Sequence, residues 1–170
     1  MATQKNLHSM FIEELRDIYS AERQIIRAVP KLVKAASSPE LKQALEEHLE
    51  ETRGQVERLD KAFEALDTGG RSRGKKCEAM EGMLAEANEL LDSGLSPEAL
   101  DSAIIAAAQK VEHYEIASYG SAIAWAKALE RTEVAEILTQ TLEEEKKADA
   151  LLNKVSAKVN STAAGQAQAA

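Results

Sequence analysis

Apolar positions along this chain recur every three or four residues over stretches far longer than strands, and the pattern appears four times. In the first stretch Phe11, Leu15, Ile18, Ile25, Val29 and Val33 share one face of a helical period, which predicts α1 over about residues 6 to 36, with Pro30 as a candidate kink. The segment SSPE ends it. Ser38 is placed to cap the next helix and Pro39 to occupy its first turn, where a missing N–H leaves no bond unmade. The resulting α2 runs to about residue 66, with Leu41, Leu45, Thr52, Val56, Leu59 and Phe63 facing inward, and glycines then a basic run close it. A shorter α3 is predicted over about 78 to 91. Ser96 and Pro97 repeat the capping signature and open α4, to about 129, and α5 follows over about 132 to 159 with Val134, Leu138, Thr141, Ala148, Leu152 and Val155 inward.

The links carry topology. Few residues separate α1 from α2, or α4 from α5, so each pair is expected to form an antiparallel hairpin. About thirty residues lie between α2 and α4, enough to cross the length of a bundle. The expected architecture is all-α: a four-helix bundle with one long crossover containing a short extra helix. Residues 1–159 form its single domain, and the low-complexity tail 160–170 is expected to be disordered.

Composition narrows the function classes. With 170 residues, 44% of them apolar and 29% charged, the chain can bury a sizeable core as a soluble protein. Its net charge of −8 argues against a phosphate backbone as partner, and so against nucleic acid. The one basic run, Arg71 to Lys76, reads as a solvated loop. Cys77 stands alone, which excludes a disulfide framework and a cysteine-ligated iron centre. No signal-peptide core and no membrane-length apolar run is present, so no membrane partner is expected and the cytoplasm is the expected location. Phosphate loops and nucleophile motifs are lacking too, leaving catalytic residues unassigned.

The chemistry lies in interruptions of the apolar rows. KVEHYEIASYGSAIAWA, residues 110–126, reads as an inward-facing helix, yet Glu112 and Glu115 break adjacent rows of it. Glu22 breaks the α1 stripe, His48 and Glu51 lie beside the α2 stripe, and Glu145 and Asp149 sit in the α5 rows. Each lies near its helix midpoint, and antiparallel helices of similar length bring their midpoints to one level. No Lys or Arg occupies those rows. Single glutamates in a stripe are often snorkelling side chains; four helices sharing the feature is a different matter. Buried carboxylates without a cation cost several kcal/mol each in desolvation, so protonation or bound metal must relieve them. Carboxylates with an imidazole suit iron or manganese, with zinc also possible, and six carboxylates balance two ferric ions. Tyr19 and Tyr119, a turn from Glu22 and Glu115, read first as packing residues, with redox or hydrogen-bonding duty as the alternative; Trp125, Met80 and Met83 read as packing or partner-contact residues, whereas His113 points away.

The segments ELRDIYSAERQ, HLEETRGQVERL, KVEHYEIASYG and LEEEKKAD resemble the YciF-type ferritin-like proteins, a stress-associated bacterial family, over about residues 7–159. The resemblance implies a ferritin-like bundle, commonly a homodimer through helical faces, similar to rubrerythrin in its core and holding two metal ions, iron first among them. It implies Glu22 as the α1 ligand, Glu51 as the glutamate of a Glu-x-x-His pair on α2, Glu112 and Glu115 as the α4 acids, and Glu145 as the α5 ligand. The sequence departs from that pattern: Gly54 and Ala148 stand where the two histidines belong, His48 offers an imidazole one turn earlier, and Asp149 is the nearest substitute on α5. Two functions follow as expectations. One is a dinuclear metal protein that meets oxygen or peroxide, and the other is a stress or interaction protein whose metal is structural.

Overall fold

The computed structural model describes residues 5–68 and 75–169. The expected loop of Arg71 to Lys76 lies mostly outside them; of its lysines, Lys75 pairs with Asp17 at 3.4 Å and Lys76 with Glu81. The described residues form five α-helices and no strand: α1 Leu7–Ala35, α2 Pro39–Ala65, α3 Glu78–Leu91, α4 Pro97–Ala128 and α5 Thr132–Ala169. None is long and apolar enough to cross a membrane.

Local chemistry sets the helix starts. The side chains of Asn6, Ser38 and Ser96 accept the backbone N–H of Ser9, Leu41 and Ala99, each satisfying a donor the first turn leaves free. At α3 the Cys77 sulfur takes this role toward Met80 N–H, a cap that no sequence signal marked. The tail expected to be disordered instead continues α5 to Ala169. Its side chains are almost all exposed beyond Val159, so the alanine-rich sequence carries the helix by propensity rather than burial.

The long helices form a ring in which α1 packs on α2, α2 on α5, α5 on α4 and α4 on α1, while α3 lies across α1 and α4. Asp101, in the first turns of α4, binds Ser37 and Ser38 between α1 and α2, so α4 begins where α1 ends and runs antiparallel to it. The crossover after α2 must therefore travel the length of the bundle, and α3 makes the return. Its start is fastened to α1: Cys77 N–H donates to Ser20 Oγ (3.0 Å) and Gln24 Nε2 donates to the Cys77 carbonyl (3.1 Å). Tyr114 completes the join, its hydroxyl donating to Asp17 (2.9 Å) and lying 3.0 Å from Cys77 Sγ.

The core is divided in two. One apolar cluster, near the α1–α2 turn, gathers Ile25, Leu41, Met80, Ile104, Ile105 and Leu152. The other, toward the opposite end, gathers Phe11, Leu15, Leu59, Phe63, Tyr119 and Leu138. Between them the inward positions are polar on every long helix: Glu22; His48, Thr52 and Gln55; Glu112 and Glu115; Thr141 and Glu145. The ring of antiparallel helices brings these midpoint groups to one level.

Asp101 is the principal buried polar residue away from that level, at 2% exposure. Its carboxylate accepts Ser37 N–H (2.7 Å), Ser37 Oγ–H (2.5 Å) and Ser38 N–H (2.8 Å), satisfying a tight turn between two helices from a third. Asp101→Ala is expected to lower the unfolding free energy by about 2–4 kcal/mol, because two backbone donors lose a charged acceptor. Urea melts check this; a loss within about 0.5 kcal/mol would mean that water replaces the carboxylate freely.

Candidate metal centre

Each long helix places a carboxylate or imidazole in the polar layer because its apolar stripe is interrupted at that level. His48 from α2, Glu112 and Glu115 from α4 and Glu145 from α5 are all buried, and one donor atom from each lies within 4.8 Å of the others. His48 Nε2 is 3.5 Å from Glu112 Oε1. Glu22 from α1 is fully buried, faces Glu115 within hydrogen-bonding reach and accepts a 2.5 Å hydrogen bond from the Tyr119 hydroxyl. Glu112 and Glu145 form a second facing pair.

The surrounding groups orient this set without neutralising it. Gln55 donates its amide to Glu145, and also to Glu144 at 3.2 Å. The charge of Arg58 favours ionised Glu22, but its guanidinium is engaged by Glu144 and, at 3.0 Å, by Thr141 Oγ1. Inside the layer, Glu22 Oε2, Glu112 Oε2, both oxygens of Glu115, Glu145 Oε2 and both ring nitrogens of His48 have no hydrogen-bond partner. Carboxylates cannot donate to one another, so the facing pairs hold together only through a proton or a cation.

Burial dominates the electrostatics. It pushes Glu22 up to about 8, reinforced by Glu145, and Glu145 up to about 7, partly opposed by hydrogen bonds from protonated Glu112 and from Gln55. Glu112 and Glu115 are raised well above the ordinary carboxylate range, by desolvation first and then by their acidic neighbours. The same burial pushes His48 down to about 4, so near neutral pH its imidazole is uncharged and its approach to Glu112 is not an ion pair. A neutral imidazole among carboxylates is a donor set ready for a metal. One nitrogen and several oxygens, with unpartnered atoms converging in a buried layer, fit a hard or borderline first-row cation.

Of the seven sequence-predicted ligands, the structure brings five together: Glu22, His48, Glu112, Glu115 and Glu145. Glu51 is corrected: it is exposed on α2. The inward row there is His48, Thr52, Gln55 and Leu59, and Glu51 lies about 70° from its centre. Asp149 is half-buried beside the layer, where it accepts from Gln109 (3.0 Å) and stands 3.3 Å from His113 Nε2. His113 is exposed, as expected. Of the two roles open to the tyrosines, Tyr119 takes hydrogen bonding, its hydroxyl donating to Glu22, while Tyr19 packs edge-on against Phe63. The orienting roles of Gln55 and Arg58 had no signal in the sequence beyond Gln55 lying in the inward row.

Fold and site together define a class: an all-α bundle whose polar mid-layer is a buried cluster of carboxylates and one imidazole. The family described as a domain of unknown function, DUF892, matches residues 6–164, and the chain belongs to that family. It is similar to Protein YciF of Escherichia coli K12, at 49% identity over 145 residues, covering 85% of this chain and 87% of the relative. The crystal structure of that organism's YciF, described as a stress protein, superposes with a TM-score of 0.88 at 46% identity, over 93% of this chain and 99% of that one. YcfI of Rhodopseudomonas palustris, for which a structural role has been suggested, matches with a TM-score of 0.85 at 43% identity, over 89% and 96% of the two chains. A protein from Xanthomonas campestris shares the fold at 22% identity and a TM-score of 0.76.

Proposed function

We propose that this chain is a ferritin-like protein holding a dinuclear metal site, iron first among the candidates, that handles metal and oxidants under stress. The observation carrying this reading is the convergence of His48, Glu112, Glu115 and Glu145, with Glu22 beside them, leaving unpartnered buried atoms on all four long helices. The single crossover between two hairpins supports the ferritin-like connectivity. The relation to a protein described as a stress protein supports the setting.

Glu22, His48, Glu112, Glu115 and Glu145 would hold the ions, which when bound supply one-electron chemistry toward oxygen or peroxide. The chain's own part is positional. Tyr119 fixes Glu22 through its hydroxyl and Gln55 fixes Glu145 through its amide, while the apolar clusters above and below close the layer along the bundle axis.

Protein loaded with ferrous ion and freed of excess is expected to retain about two ions per chain, as in other carboxylate bundle sites, and to consume oxygen or peroxide with an absorbance change. Metal analysis and stopped-flow absorbance read the two properties separately. Absence of stoichiometric metal would overturn the site. Bound metal without reactivity would favour the second reading, a stress or interaction protein whose metal is structural.

A further inference from the structure

Adjoining the polar layer is a cavity of about 230 Å³ that neither the ligand set nor the packing of the core requires. Its walls are aliphatic, with Ile25, Val29, Leu32, Leu45, Val111 and Leu152 among them. Leu84 and Ala87 of α3 line it as well, so the crossover helix closes the side between α1 and α4. At its inner end the cavity meets His48 and Glu112; its exposed lining residues are Glu47 and Glu51 of α2 and Lys147 and Leu151 of α5, which places the mouth between those helices. From Ala44 to Glu51 the α2 wall rises about 10 Å, the length of an extended chain of roughly eight carbons.

We infer that this cavity is a binding site for a slender aliphatic molecule without negative charge, entering between α2 and α5 with one end against His48 and Glu112. Apolar walls of this extent hold water poorly; a dry cavity of roughly 150 Å³ already suffices for a benzene-sized guest. The charge at the mouth sets the class. Two carboxylates against one ammonium leave it acidic, so a fatty carboxylate is repelled on entry while a neutral chain loses only its contact with water. The inference does not rest on bound metal, since the walls and the mouth belong to the chain alone.

The test uses full-length, metal-free protein with n-octanol and octanoate as probes, followed by calorimetry and by methyl NMR. Saturable binding of one n-octanol per chain is expected, with octanoate at least roughly tenfold weaker, and with shifts concentrated on the methyls of Ile25, Val29 and Leu152. Ala107→Leu, which fills the cavity from α4 away from the donor atoms, is expected to weaken n-octanol binding by roughly tenfold or more while the helical signal persists. No saturable binding by the wild type would overturn the site, and octanoate binding as tightly as n-octanol would overturn the charge selection. Shifts on the opposite cluster, around Phe11 and Leu138, would overturn the location even if the variant did not fold.

Discussion

Glu115→Gln is expected to raise the stability of the metal-free protein and to cut the stabilisation that metal adds. Glu115 is 1% exposed, neither of its oxygens has a partner, and Glu22, Glu145 and Glu112 all raise its pKa after burial itself. In metal-free protein at pH 8.5 the glutamine keeps the shape and removes a carboxyl that the fold must either protonate or bury charged. A gain of about 1–3 kcal/mol is expected, the range found when buried charges are replaced by neutral groups of similar size. With metal that gain is offset. An ion present at a thousandfold excess over its dissociation constant stabilises the native state by about 4 kcal/mol, and a hundredfold loss of affinity removes about 2.7 kcal/mol of that. Paired urea melts of both proteins, with and without ion, resolve the difference. A glutamine variant less stable than wild type without metal, yet equally stabilised by it, would show that Glu115 is neither strained nor a ligand.

Lowering the pH from about 8.5 to 6.5 is expected to stabilise the metal-free protein by about 2 kcal/mol, against the usual acid lability of carboxylate-rich folds. Glu22 titrates at about 8 and Glu145 at about 7 in the folded chain, against an ordinary value of 4.5, and Glu112 and Glu115 are raised as well. Between those values the native state binds protons that the unfolded chain does not, so stability falls as pH rises through the window and returns as pH falls. His48 acts in the reverse sense. Its folded value of about 4 lies below the ordinary 6.5, so it withdraws stability as pH drops from 6.5 toward 4. The interval above pH 6.5 therefore isolates the carboxylates. Bound metal keeps the carboxylates ionised and is expected to flatten the dependence. Metal-free protein as stable at pH 8.5 as at 6.5 would mean that water or Arg58 already compensates the layer.

Local signals account for what was legible in the chain alone. Ser38 with Pro39 and Ser96 with Pro97 mark helix starts because a cap acts on the N–H groups of its own first turn, which needs no distant partner. The same holds for Glu22, Glu112, Glu115 and Glu145: an acid inside an apolar stripe faces inward whatever the helix packs on, and hairpin links of a few residues fix the shared level. At the edge of a stripe that reasoning loses its hold. Glu51 and Gln55 are one turn apart on α2, and which of them entered the layer was set by how α2 is rotated between α1 and α5, leaving the glutamine inside and the glutamate at the mouth of the cavity. Asp149 was displaced in the same way, toward Gln109 and His113. Contacts between residues far apart in the chain had no periodic trace at all. The Tyr119 hydroxyl on Glu22, the Asp101 carboxylate on the α1–α2 turn and the Leu84 side chain in the cavity wall each depend on a partner that only the assembled ring brings within reach. Helix identity and the inward acids were thus decided by chain-local sterics and amphipathicity, whereas the rotation of each helix, the orientation of the ligands and the cavity were decided by packing.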